Sequence, residues 1–321
     1  MINCLKVTCL FIGAIVGAGF ATGREIVVFF RGLSIFAPIL AGLIIGVMCA
    51  IFLLFGKIDL SGRAGRIVNT ILDYMMFISM VVTYMVMCSA AEELTAQCFG
   101  IAFVGLVSGV IFAVLSMFDI GFIKNISLIM VAIIIAFVIV LAHNTQLSVA
   151  GGVDVKTAIK YCAMNMLGGG YLISQEGKSM KGKHIAICAT LCGLICAVLL
   201  GLVYLIATTN SNASMPVYAA ANAKGYGIIG GLLILLAVMS TMLGAGRIIY
   251  VTTRRMCGNG YVPAVFLIGI AAISYTLDFE SAVEIFYPPL GTLGEALCAV
   301  AIIILIATAV IKIKRRHTLK L

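Results

Sequence analysis

Charge is scarce in this sequence: Asp, Glu, Lys and Arg make up 10% of its 321 residues, against 63% that are hydrophobic. A water-soluble domain carries about a quarter charged residues and closer to half apolar ones, so a soluble fold has nowhere to put this much apolar surface. Signatures of hydrolytic and metal chemistry are missing as well. The three histidines, His143, His184 and His317, lie in or near connecting segments, and there is no H-E-x-x-H, no G-x-S-x-G and no acidic metal cluster. An enzyme is therefore not expected, and no cofactor is. The 11 cysteines are scattered through apolar stretches without the paired spacings of a zinc site or an extracellular disulfide framework. Cys188, Cys192 and Cys196 repeat every four residues and share one helix face; packing by small polarizable side chains is favoured there over metal binding. The formal charge of +9 does not point to nucleic acid, because the basic residues sit between apolar stretches, where membrane topology is encoded.

What is present is a succession of apolar stretches, each near the roughly 20 residues that a helix needs to cross the hydrocarbon core. Ten spans are predicted: 5–30, 33–56, 70–98, 101–118, 121–142, 155–175, 185–209, 226–253, 260–277 and 286–312. The first is read as a mature span rather than a signal peptide, because it runs long, holds Arg24 and Glu25 and lacks an A-x-A end. With the N-terminus inside, the inner connections hold Lys6, Lys57, Arg63, Arg66, Lys124, Lys178, Lys181, Lys183, Arg254, Arg255 and the basic cluster Lys312, Lys314, Arg315, Arg316 and Lys320. The outer ones hold Arg31, Lys156, Lys160 and Lys224. That bias predicts cytoplasmic termini in a plasma (inner) membrane and an even number of spans. Lipid is thus one partner; nucleic acid is not.

The first span is interrupted by Gly13-Ala-Ile-Val-Gly-Ala-Gly-Phe-Ala-Thr-Gly-Arg-Glu25, with four glycines and two charges. Each glycine in a helix interior costs about 1 kcal/mol relative to alanine. A second such segment, Asn165-Met-Leu-Gly-Gly-Gly-Tyr-Leu-Ile-Ser-Gln-Glu176, lies in the sixth span. At an offset of 151 residues, Gly17, Gly19 and Glu25 meet Gly168, Gly170 and Glu176, while Phe20 meets Tyr171. The match falls at the first span of each five-span half, and because five is odd the second half is inverted. The expected fold is an all-α polytopic membrane protein: one membrane domain, 1–321, with a first five-helix repeat at 5–142 and a second, inverted one at 155–312. Interrupted segments at corresponding positions of inverted halves point to a transporter's midplane site. Unwound backbone is tolerated at that depth only where a cavity, ligand or ion satisfies it. The alternative is that the glycines serve close helix packing.

The string from Gly13 to Phe30 resembles the opening helix of YkvI-like bacterial membrane proteins, a group similar to amino acid and cation symporters of the leucine-transporter fold. That resemblance implies a five-plus-five inverted repeat with broken first and sixth helices. The substrate site would be lined by Gly17, Ala18, Gly19 and Phe20 and by Gly168, Gly169, Gly170 and Tyr171, with Tyr84 opposite binding a carboxylate or, alternatively, bonding a neighbouring helix. A sodium ion would sit between carbonyls of Gly13 and Val16 and the Ala237, Ser240 and Thr241 oxygens, unless those hydroxyls bond back to their own helix. Arg24 would close an outer gate with Glu295, or else snorkel to the interface.

Charges inside spans are functional-site hypotheses by default. Glu176 and Arg247 lie at depths that permit a pair, and in a proton-coupled reading Glu25 or Glu176 is the carrier. Two functions stay open at this point. One is a secondary transporter moving a small solute, an amino acid or related zwitterion, with sodium or protons. The other is a ligand-sensing receptor on the same fold.

Overall fold

The computed structural model describes residues 2–15, 17–58, 62–118, 123–143, 145, 151–258 and 261–318. Among them every regular element is a helix. The first span is assembled from three pieces, α1 (Ile2–Ile15), α2 (Ala18–Thr22) and α3 (Arg24–Phe30). Then follow α4 (Phe36–Phe55), α5 (Arg63–Phe99), α6 (Val104–Leu115) and α7 (Ile123–Ala142), which complete the first five spans. The second five are α8 (Val155–Gly177), α9 (Gly182–Thr209), α11 (Gly227–Cys257), α12 (Val262–Ser274) and α13 (Phe279–Thr318), with the short α10 (Pro216–Ala223) in the connection after α9. All ten expected spans correspond to a helix or, in the first, to a chain of helices.

Among the described residues five stretches, 36–55, 65–99, 182–209, 227–257 and 279–311, are long and apolar enough to cross a bilayer alone. Large apolar side chains such as Val47, Val107, Leu194, Ile228, Val265 and Ile303 stand exposed around the periphery. Water penalises such a continuous apolar exterior, while lipid accepts it. The fourth and ninth spans are short, 12 residues in α6 and 13 in α12. Because they hold corresponding places in the two halves, the shortness itself repeats.

Packing follows the same exchange. Helix α4 lies on α9, α5 on α11 and α6 on α12, so the second, third and fourth spans each meet their counterpart. The contact of α4 with α8 is mirrored by that of α9 with α1, and α13 against α8 by α7 against α1. Exchanging the halves maps each of these contacts onto another of them, as an inverted five-plus-five repeat requires. Spans one, two, six and seven form one packed group, spans three, four, eight and nine a second, and α7 and α13 flank both.

Glycine sets the closest of these approaches. A Cβ on Gly46 of α4 would lie 2.6 Å from the carbonyl oxygen of Ala189 and 2.7 Å from Cα of Gly193, both on α9. The backbones themselves touch there, as small residues at membrane helix interfaces allow. At the N-terminal end of α8, Asp154 is the N-cap: its carboxylate accepts from the Lys156 N–H at 3.0 Å and from the Thr157 hydroxyl at 2.6 Å. The Thr157 hydrogen bond, with the backbone N–H groups, holds that exposed carboxyl below the usual range. Helix α13 carries Pro288 and Pro289 in its interior. Neither can donate a backbone hydrogen bond, so the carbonyls of Glu284 and Ile285 lose their i+4 partners.

Candidate functional site

The first span breaks where the glycines lie. Gly17 is extended (φ −88°, ψ −164°) and begins a helix of five residues. The Ala21 N–H donates to the Gly17 carbonyl at 3.0 Å. Gly23 then turns left-handed (φ 78°, ψ −4°), a conformation open to glycine at little cost. Its N–H donates to the carbonyls of Gly19 and Phe20, both at 3.2 Å, and helix resumes at Arg24. The Thr22 hydroxyl donates to the Gly19 carbonyl at 2.9 Å and accepts from the Arg24 N–H at 3.4 Å. Two helix ends thus meet inside the packed interior, with the last carbonyls of α1 and the first N–H groups of α2 outside any helical ladder.

The hydroxyls expected to hold sodium come to this break. A Cβ on Gly17 would lie 3.4 Å from Oγ1 of Thr241, and α11 packs on α2. Ser240 and Thr241 both donate to the Ala237 carbonyl, at 3.0 and 2.9 Å. This is the back-bonded arrangement; a hydroxyl that donates keeps its oxygen lone pairs as acceptors. Gly13 lies in the last turn of α1. Val16 and the side chains of Ala18 and Tyr171 lie outside the described residues.

The sixth span corrects the expectation of a second break. Helix α8 runs continuously through Gly168, Gly169 and Gly170. The three glycines make room for side chains of other helices. Cβ atoms there would lie 3.0 Å from Met80, Phe11 and Phe52 respectively. Here the run serves close packing, and the glycines are covered by large side chains rather than lining a site.

Tyr84 makes the second of its two expected contacts, a bond to a neighbouring helix. It is fully buried, and its hydroxyl donates to the Gly109 carbonyl at 2.5 Å, tying α5 to α6. Arg247, expected opposite Glu176, instead donates to the carbonyls of Ser116 (3.0 Å) and Met117 (3.4 Å) after α6 and lies over the Tyr250 ring. A cation at a helix C-terminus complements its dipole. Glu176 stays in the last turn of α8.

Arg24 is 2% exposed, and its partners are Glu280 and Glu284, one turn apart on α13. Glu295, the expected partner, lies farther along α13 by 11 residues from Glu284, roughly 16 Å at 1.5 Å per residue. The other terminal nitrogen of Arg24 donates to the carbonyls of Ser211 and Ala213 at 3.4 Å. One guanidinium thereby ties α3, α13 and the α9–α10 connection together. Glu280 and Glu284 fell outside the expected tenth span because hydropathy starts it after them. Their i, i+4 spacing, which puts both on one helix face, is the signal in the sequence that marks them.

Glu25 points the other way. It is 5% exposed, and its Oε1 accepts from the Tyr161 hydroxyl of α8 at 2.9 Å. Its Oε2 lies against Gly19, over the spot where a Cβ would stand, and the Tyr287 hydroxyl of α13 is 3.3 Å from that same spot. The Tyr161 ring is held edge-on by Phe29 and Phe30, with centroids 5.4 and 5.2 Å away. Tyr161 and Tyr287 are residues that sequence reasoning passed over; tyrosines in long apolar helices carry no local mark of what they face.

No family model matches the chain, and no curated protein does. Solved structures do. A manganese transporter of Eremococcus coleocola, in complex with an aromatic bis-isothiourea compound, superposes with a TM-score of 0.51 at 14% identity, over 94% of this chain and 78% of that one. Mhp1, a nucleobase-cation-symport-1 family transporter in a closed conformation with bromovinylhydantoin bound, does so with a TM-score of 0.62 at 12% identity, over 93% of this chain and 77% of that one. At such identities the likeness concerns the fold, and it covers nearly the whole chain: this is a multi-pass membrane protein of the leucine-transporter fold.

Proposed function

We propose that the protein is a secondary transporter that moves a small solute, an amino acid or related zwitterion, by alternating access. The observation that carries this reading is the first-helix break at Gly17 beside Thr241, beneath a clamp made by Arg24, Glu280 and Glu284. Backbone N–H groups at the start of α2 suit a carboxylate, and carbonyls at the end of α1 suit a cation. The solute contacts the backbone of residues 17–20 only, since α8 is unbroken. Sodium is held by the carbonyls of Gly13 and Val16 and the oxygens of Ala237, Ser240 and Thr241, a hard-oxygen set suited to a hard cation. Both structural neighbours are named as transporters, which supports the class. The resemblance of the opening helix to YkvI-like proteins supports the solute type. The basic inner connections support cytoplasmic termini in a plasma membrane, and the division between repeats falls in the 143–154 connection.

The test is thermal unfolding of the purified protein with each standard amino acid, with and without sodium, followed by uptake into proteoliposomes. A stabilising amino acid whose effect grows with sodium is expected. Ser240→Ala combined with Thr241→Ala should remove the sodium dependence and leave the protein folded. Binding without uptake would replace the transporter by a receptor.

A further inference from the structure

Glu25 is a carboxyl group buried at membrane depth, and among the described residues no lysine, arginine or histidine pairs with it. Its neighbour Arg24 is turned toward Glu280 and Glu284. On the elements packed around α3, the titratable groups that face Glu25 are Tyr161 of α8 and Tyr287 of α13. Of the other groups on these elements, Lys160 lies along Gly291 of α13, Cys162 donates to the Ala41 carbonyl, Tyr204 to the Leu33 carbonyl and Cys49 to the Cys192 sulfur, while α2 contributes none. An isolated carboxylate buried without a cation is so unfavourable that the group takes up a proton instead. A metal or ammonium ion would have to enter beside it. One of its oxygens is engaged by the Tyr161 hydroxyl, and the other lies over Gly19, with the Tyr287 hydroxyl beside the same spot. A proton is the one cation that needs no cavity.

We propose that the Glu25 carboxyl, enclosed by Tyr161, Gly19 and Tyr287, is a proton-binding site whose occupancy permits closure of the outer clamp. The reasoning joins two contacts made by adjacent residues of α3 to the same helix. Arg24 holds Glu280 and Glu284 of α13, and Glu25 approaches Tyr287 three residues further along it. Separating α3 from α13 to break the clamp also opens the niche around Glu25 to outer water. There the carboxyl gives its proton to water or takes one from it. Closing the clamp buries the group again, and only the neutral acid is buried without a partner. This rests on the transporter reading for its purpose, since a proton that enters with each closure is coupled to whatever solute is enclosed. The binding site itself does not depend on that reading.

The decisive experiment reads the carboxyl directly. Infrared difference spectra of the full-length protein in lipid vesicles at neutral pH should contain a carboxylic-acid C=O band that disappears in Glu25→Gln. Tyr161→Phe, which removes one hydrogen bond and little volume, should keep the band and shift it to higher frequency. If Glu25→Gln does not fold, that shift alone assigns the band. Spectra with no acid band altered by either variant overturn the proposal, whether or not the protein transports. In proteoliposomes given a mixture of labelled standard amino acids, accumulation driven by an inward proton gradient should be lost in Glu25→Gln, while exchange at equal pH persists. Undiminished gradient-driven accumulation in that variant also overturns it. Wild-type vesicles that neither accumulate nor exchange amino acids count against the proposed solute, and the infrared result still decides the proton site.

Discussion

At the scale of single residues, Arg24 and Glu25 share a peptide bond and face opposite chemistry. The guanidinium meets two half-exposed carboxylates, and the carboxyl meets two tyrosines. Because Arg24 is nearly fully buried and its partners are not, each glutamate alone contributes modestly, as exposed ion pairs do. Removing both leaves a buried charge uncompensated. Glu280→Gln and Glu284→Gln are therefore each expected to cost about 0–1 kcal/mol. The double variant should cost more than the sum, which thermal unfolding of the three variants would measure as a double-mutant cycle. The family resemblance implied a gate role for Arg24, beyond the glycine break. The sequence did not mark the partner, because the glutamates that bind it are the very charges that end the hydropathy signal of the last span.

Among the elements, the same residue type proves to mean two things. Gly17 and Gly23 release the chain from the helix, through an extended and a left-handed residue. Gly168 to Gly170 stay helical and admit Phe11, Phe52 and Met80. Locally the two segments read alike, and the alignment of Gly17 with Gly168 is real as sequence. What separates them lies across the interface, in side chains more than 80 positions distant, beyond the reach of a local pattern. The α4–α9 contact shows the packing use in its purest form, with backbone against backbone at Gly46 and Gly193. Gly46→Leu is expected to force the two helices apart at a cost of about 1–3 kcal/mol or more. A large fall in the detergent unfolding temperature should follow, whereas Gly182→Leu, where a Cβ meets nothing within 4 Å, should change it little.

For the whole molecule, the ten spans, their order and the inverted halves were legible, since apolar length and basic loops respond to the bilayer rather than to tertiary contacts. Exposed Cys257 follows Arg254 and Arg255 at the end of α11 and should lie on the inner face. A membrane-impermeant thiol reagent is expected to modify it in permeabilised cells and not in intact ones; modification in intact cells would invert the topology. The two prolines of α13 carry a mechanical consequence. Glu280, Glu284 and Tyr287 all precede Pro288, so both contacts of α3 fall on one short lever, hinged where the backbone ladder is interrupted. The remainder of α13 is free to stay anchored in lipid while that lever moves, and a latch of nine residues replaces the displacement of a 40-residue rod.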